Sequence, residues 1–172
     1  MFLKKLKAVS YVEVVLVLVI VGVISAIAIP SLKRYSQREE LGRQTQKAYL
    51  TLTEAFDQAV TLYGPSRKWA TGQVAFTSYI VPQLQVYKTV SGTQVITKDG
   101  MNFKAGSYAS GEWAYLGIIV DVNGSEKGPN KYGKDIHIFD IKYNTGKVEP
   151  SYADTVSLYE NNWKFTDEIW NK

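Results

Sequence analysis

The chain has 172 residues, of which 45% are hydrophobic and 21% charged, with a formal net charge of +4 and no cysteine. That length accommodates one ordinary domain beside a membrane segment, and the composition excludes a disordered chain. Without cysteine there is no disulfide framework, thiolate nucleophile or thiolate metal site, so packing of the 4 Trp, 12 Tyr and 6 Phe must hold a core together.

The positive charge does not point to a polyanion. Lys4, Lys5 and Lys7 crowd into the first seven residues, and without them the formal charge falls from +4 to +1. The remaining basic residues alternate with acids, as in KRYSQREELGRQ (Lys33 to Gln44). Such interleaving reads as a solvated helix face rather than a phosphate-binding stripe, so nucleic acid is not an expected partner.

In chain order, a basic stretch, MFLKKLKA, precedes an apolar run from Val9 to Ile29 in which Glu13 is the one charged residue. About 20 apolar residues cross a bilayer core as a helix, because in lipid the backbone must satisfy its own hydrogen bonds. Basic residues on the cytoplasmic side orient the C-terminal end outward. A carboxylate at bilayer depth is costly, which makes Glu13 a functional candidate. Pro30 closes the run and removes one helical hydrogen bond, a source of a kink.

Beyond it the spacing stays helical. Leu41, Thr45, Ala48, Tyr49, Leu52, Ala55, Phe56, Ala59, Leu62 and Tyr63 form one face at i, i+3, i+4 steps,. Gly64-Pro65 ends it. The spacing therefore predicts one very long N-terminal helix with an apolar first half and an amphipathic second half. Residues 72–87 read as a short helix placing Ala75, Tyr79, Ile80 and Leu84 on one side, with an irregular loop as the alternative.

After Ser91-Gly92 the pattern turns to strands. TQVITKDGMNFK (Thr93 to Lys104) reads as a hairpin about Asp99-Gly100. Trp113 to Val122 is β-rich, and Lys134 to Tyr143 alternates like a strand covered on both faces. Asn144 to Gly146 turns into Lys147 to Pro150. The tail from Ser151 carries Tyr152, Tyr159, Trp163, Phe165 and Trp170 without a clear period, and core packing or subunit contact is favoured for these rings over glycan binding.

No serine-triad or cysteine-based catalytic constellation is legible in the sequence, and the pairing of its carboxylates in space cannot be read from it. His137 is the only histidine and sits in a β pattern, and no G-x-S-x-G elbow occurs,; no enzyme activity is expected. The stretch DVNGSEKGPNKYGKD (Asp121 to Asp135) offers oxygens from Asp121, Asn123 and Asp135. It is not an EF-hand loop, and hard cations want six to eight oxygen ligands. Asn-Gly and Gly-Pro-Asn also serve tight turns, so a structural turn is favoured over a cation site.

The N-terminus resembles the class III signal of type IV pilins and type II secretion pseudopilins. The residues that carry the likeness are Lys7-Ala8 at the end of a basic leader, then Val9, Ser10, Tyr11, Val12 and Glu13, with Gly22 and Ala26-Ile27-Ala28-Ile29-Pro30 at the expected spacing. Ala8 stands where the family usually has Gly, and Val9 where it usually has Phe. The likeness is specific over roughly the first 30 residues.

The resemblance implies cleavage between Ala8 and Val9 by a prepilin peptidase and N-methylation of Val9. It implies that Glu13 meets the new α-amino group of a neighbouring subunit during assembly, and that Gly22 and Pro30 are the helix kink positions. The implied fold is α+β, pilin-like, with a long helix packed on an antiparallel sheet. Its divisions are a leader (1–8), a transmembrane half (9–30), an amphipathic half (31–64) and a globular β-rich domain (65–172). The implied function is a subunit of a pilus-like or secretion filament, held first in the bacterial inner membrane and then extracytoplasmic. Its implied partners are other subunits, the peptidase, the inner-membrane assembly machinery and lipid. Calcium, bound in a loop by some pseudopilins, is the one cofactor the resemblance suggests, at Asp121, Asn123 and Asp135.

Two readings compete. A conventional secretory signal would share the basic start, and Ser25-Ala26-Ile27-Ala28 supplies an A-x-A site. Its apolar stretch, however, is longer than such signals use and holds an acid. The second is a membrane-anchored or secreted ligand-binding domain that does not assemble.

Overall fold

The computed structural model describes residues 10–111 and 114–171. They divide into two units, one ending at Gln37 and one running from Arg38 to the C-terminus. The helix α1 (Tyr11–Tyr63) enters the first and continues into the second.

In the first unit α1 has no core. Its valines, leucines and isoleucines up to Ile29 are exposed, from 40% at Val15 to 73% at Ile27. Mean hydropathy over its most apolar window is 3.0, so the helix is long and apolar enough to cross a membrane,. Valine and isoleucine are modest helix formers in water, and a segment built of them gains little from staying solvated.

The second unit is α+β. From Arg38 onward one face of α1 is buried through Leu41, Gly42, Thr45, Ala48, Leu52, Ala55, Phe56 and Ala59. The predicted face therefore holds up to Ala59, while Leu62 and Tyr63 at the end of the helix are exposed. Gly64, at φ 80°, ends α1, donating its N–H to Val60 O at 2.9 Å, a conformation glycine adopts without strain.

After a 3₁₀ turn (Ser66–Lys68) comes α2 (Gln73–Ala75), which continues as a π turn (Phe76–Ile80) and a 3₁₀ turn (Val81–Gln83). The helix reading of this segment stands, and it buries Ala75, Phe76, Ile80 and Leu84.

Six strands follow: β1 (Val86–Ser91), β2 (Gln94–Thr97), β3 (Asn102–Ala109), β4 (Tyr115–Asp121), β5 (Ile136–Lys142) and β6 (Lys147–Ser151). They form one antiparallel sheet in chain order. The hairpin about Asp99-Gly100 joins β2 to β3, with Ile96 opposite Asn102. Strand β1 was not expected. Its residues lie almost wholly exposed on the sheet edge, so no alternation of buried and exposed side chains marks it.

Leu116, Ile118 and Val120 of β4 and His137, Phe139 and Ile141 of β5 face inward and are fully buried. Tyr49 of α1 lies against this face, its ring 5.7 Å from Phe139 and its hydroxyl donating to Val148 O at 3.3 Å. The other face of β5 is only half covered, since Ile136 and Ile138 are partly exposed. The expectation of a strand covered on both faces therefore holds for one side.

The tail supplies α3 (Ala153–Glu160) and α4 (Asp167–Asn171). Trp163 is buried among Tyr49, Phe139 and Tyr159. A Cβ on Gly42 would lie 2.1 Å from the Trp163 carbonyl oxygen, so only glycine lets the tail close on α1 there. Trp170 receives Arg38 and Lys134 over its ring, at 5.1 and 4.9 Å, and Arg38 also pairs with Asp167. Core packing thus accounts for Trp163, while Tyr152 remains exposed.

Candidate functional site

Ala8 and Val9, the expected cleavage and methylation positions, lie outside the described residues. The helix begins immediately after them with a reciprocal cap. Ser10 Oγ accepts the Val12 N–H at 3.3 Å, and Glu13 Oε2 accepts the Ser10 N–H at 3.0 Å. This is the Ser-x-x-Glu capping box, in which the acid at the third helical position satisfies the residue preceding the helix. Glu13 therefore points back toward the start of α1 and offers a negative charge beside the positive end of the helix dipole. The signature Ser10-Tyr11-Val12-Glu13 was present in the sequence, and its capping role went unread there.

Gly22 and Pro30 both lie inside α1, which continues through them. Nothing stands within 4 Å of where a Gly22 side chain would begin. Pro30 has no N–H to offer the Ala26 carbonyl, and Ser31 Oγ donates to Ala28 O at 2.8 Å just beyond the gap. The exposed strip from Tyr11 to Ile29, with Glu13 as its one carboxylate, is the most distinctive surface of the first unit.

The loop between β4 and β5 gathers Asp121, Asn123 and Asp135, each through main-chain contacts. Asp135 is fully buried and accepts the N–H groups of Asn130 and Lys131, both at 2.7 Å. Asp121 Oδ1 accepts the Gly124 N–H at 2.9 Å, and Asn123 Nδ2 donates to Gly128 O at 3.1 Å. Burial, reinforced by the neighbouring Asp135 charge, holds the Asp121 carboxyl above its usual range,. Asn123 Oδ1 is buried without a partner. These contacts account for the shape of the loop as a hydrogen-bonded turn. Among the described residues no group of three or more His, Cys, Asp or Glu side chains is placed to hold a metal.

His137 is fully buried on β5. Its Nε2 lies 3.1 Å from Lys134 O, and Nδ1 lies 3.4 Å from Thr155 Oγ1. A carbonyl only accepts, so Nε2 carries the proton and Nδ1 accepts from the threonine. Burial pushes its pKa down to about 4, so the ring is neutral at pH 7,. Both nitrogens are spent on the fold, which leaves the imidazole no free edge for proton transfer.

Where the hairpin turn meets α1, Lys47 Nζ pairs with Asp99 at 2.8 Å. Burial alone would raise the Asp99 pKa, but hydrogen bonds from Lys47 and Thr97 outweigh it and hold the carboxyl below its ordinary value,. Sequence reading also missed Gly42. Its signal was an isolated glycine within a strong helical pattern, which costs about 1 kcal/mol relative to alanine and so implies a packing reason.

Compared with family models, with curated proteins and with solved structures, the chain matches none.

Proposed function

We propose that this chain is a structural subunit of an extracytoplasmic filament of the type IV pilin or type II secretion pseudopilin kind. A prepilin peptidase cuts it between Ala8 and Val9, and the new terminus at Val9 is a substrate for methylation. The subunit waits in the inner membrane through residues 9–30. It then joins other subunits through the same helix, driven by the inner-membrane assembly machinery.

One observation carries this reading. A solvent-facing apolar helix bears a single acid near its start and continues into a helix whose second half is packed on a sheet. Exposed apolar surface on this scale is buried in lipid or against other chains. Small residues along it, Gly22, Ser25, Ala26 and Ala28, permit close helix approach. In lipid a carboxylate and an α-amino group are each costly alone, and pairing offsets much of that. The Glu13 carboxylate lies beside Ser10, the residue that follows Val9. Contacts of this kind that do not close on themselves build open filaments.

A membrane-anchored domain that does not assemble is the second reading. The capping box favours it, because a cap gives Glu13 a reason to exist without any partner. Two measurements separate the readings. Mass analysis of the mature chain should find it beginning at Val9, and a start at Ile29 would remove the filament reading. Glu13→Ala should leave processing intact and abolish incorporation into filaments. Glu13→Gln retains an acceptor for the Ser10 N–H, and should fail equally if charge pairing is the mechanism. Filaments formed normally by Glu13→Gln would reduce the acid to a cap.

A further inference from the structure

The half-covered face of the sheet holds a cleft of about 440 Å³, and we infer that it binds a pyranose saccharide. Its floor is Ile119, Ile136 and Ile138, and its rim carries Tyr132, Tyr152 and Asp154. This inference rests on the second unit alone and is independent of the filament reading.

Both tyrosines are strongly exposed, 60% at Tyr132 and 69% at Tyr152, and neither is engaged in the core. Tyr152 occupies φ 64°, a left-handed conformation that is unfavourable for a bulky side chain,. Strain of that kind persists where surrounding structure enforces it and concentrates at ligand sites. Tyrosine rings present a flat apolar surface with a hydroxyl at the tip. That surface suits the C–H face of a sugar ring, and the hydroxyl suits its edge.

The polar groups complete the match. Asp154 is half-buried, and among the described residues no hydrogen bond or ion pair engages its carboxylate. It lies in the first turn of α3, where the helix dipole offsets negative charge. Its carboxylate oxygens are free to accept from neutral hydroxyls. Gly133 makes room for it, since a Cβ there would meet Asp154 at 2.8 Å. Ser107, which is exposed, also lines the cleft. It is exposed there by the irregular pairing of β3 with β4 between Ala105 and Tyr108, and such bulges re-aim side chains next to sites. An apolar floor, aromatic rims and a few converging polar groups are what orient a small polyhydroxylated ligand.

The test uses the full chain in a detergent without a sugar headgroup, applied to an array of immobilised mono- and disaccharides. At least one pyranoside should be retained. Tyr132→Ala, Tyr152→Gly and Asp154→Asn should each weaken retention about tenfold, the scale of one lost ring contact or charged hydrogen bond. Tyr152→Gly relieves the backbone strain, so a folding defect would not explain its loss. Tyr87→Ala, on exposed β1, should change nothing. Retention of no saccharide would overturn the inference, as would retention indifferent to Tyr132→Ala and Tyr152→Gly. Binding of choline or of lysine peptides without any saccharide would assign the cleft to a cation and overturn it equally.

Discussion

The two halves of α1 obey opposite rules. Up to Ile29 the helix exposes its apolar side chains all round and leaves space about Gly22. From Leu41 onward it buries one stripe, and at Gly42 the fit is so tight that a methyl group has no room. The first half is a helix that needs another medium or another chain to bury it. The second is a helix completed by its own sheet and tail. One secondary structure thus carries two distributions of apolar residues, all round in its first half and on one side in its second.

Truncating a core ring should give the largest contrast. Phe56→Ala removes a fully buried side chain and should cost about 3–5 kcal/mol in urea unfolding of the sheet domain. Leu16→Ala, in the apolar half, should leave that transition within about 0.5 kcal/mol. A large effect of Leu16→Ala would erase the distinction between the halves.

Acid should act on the packed unit through His137. His137 has a folded pKa near 4, below its unfolded value of 6.5. Between those values the unfolded chain binds the extra proton, so stability present above pH 6.5 is lost as pH falls toward 4. The loss approaches about 3 kcal/mol at roughly 1.4 kcal/mol per unit. Asp121 opposes it. Its folded pKa is raised, so its protonation in the folded state adds stability as pH falls through that value. Melting temperature followed from pH 7 to 4 should decline, and His137→Gln should flatten the decline even if its starting stability is lower.

The paired glycines sharpen the comparison further. Gly42→Ala should destabilise by about 2 kcal/mol through overpacking against the Trp163 carbonyl,. Gly22→Ala meets nothing and should leave domain stability unchanged within about 0.5 kcal/mol.

The smallest effect is expected at the loop between β4 and β5. Asp121 and Asp135 there accept main-chain N–H groups, and adding calcium or a chelator should leave the melting temperature unchanged. A rise with calcium would make Asp121, Asn123 and Asp135 a cation site.

Much of this architecture was legible in the residues. The apolar run, the buried face of α1 up to Ala59, the 73–83 helical segment and the strands from β2 to β6 each leave a periodicity or a turn signal. Strand β1 left none, because an edge strand exposed on both faces has nothing to alternate. The helices of the tail were hidden for a related reason. They are short, and their aromatic residues pack individually against α1 rather than along a stripe. The candidate positions divided in the same way. Glu13 stood out as a charge among hydrocarbons, whereas Tyr132, Tyr152 and Asp154 lie 20 residues or more apart at the extremes and become neighbours only when β5 and β6 pair.

The order of the strands also sets a timetable. Each strand pairs with the one before it in the chain, so the sheet can grow hairpin by hairpin during synthesis without closing long loops. The packed half of α1 is made earlier still, yet it waits. Gly42 receives Trp163, and Arg38 receives Asp167 and Trp170. The seal on α1 is therefore supplied by residues more than 120 positions later, and a chain lacking Trp163 to Trp170 would carry an open seam along that helix.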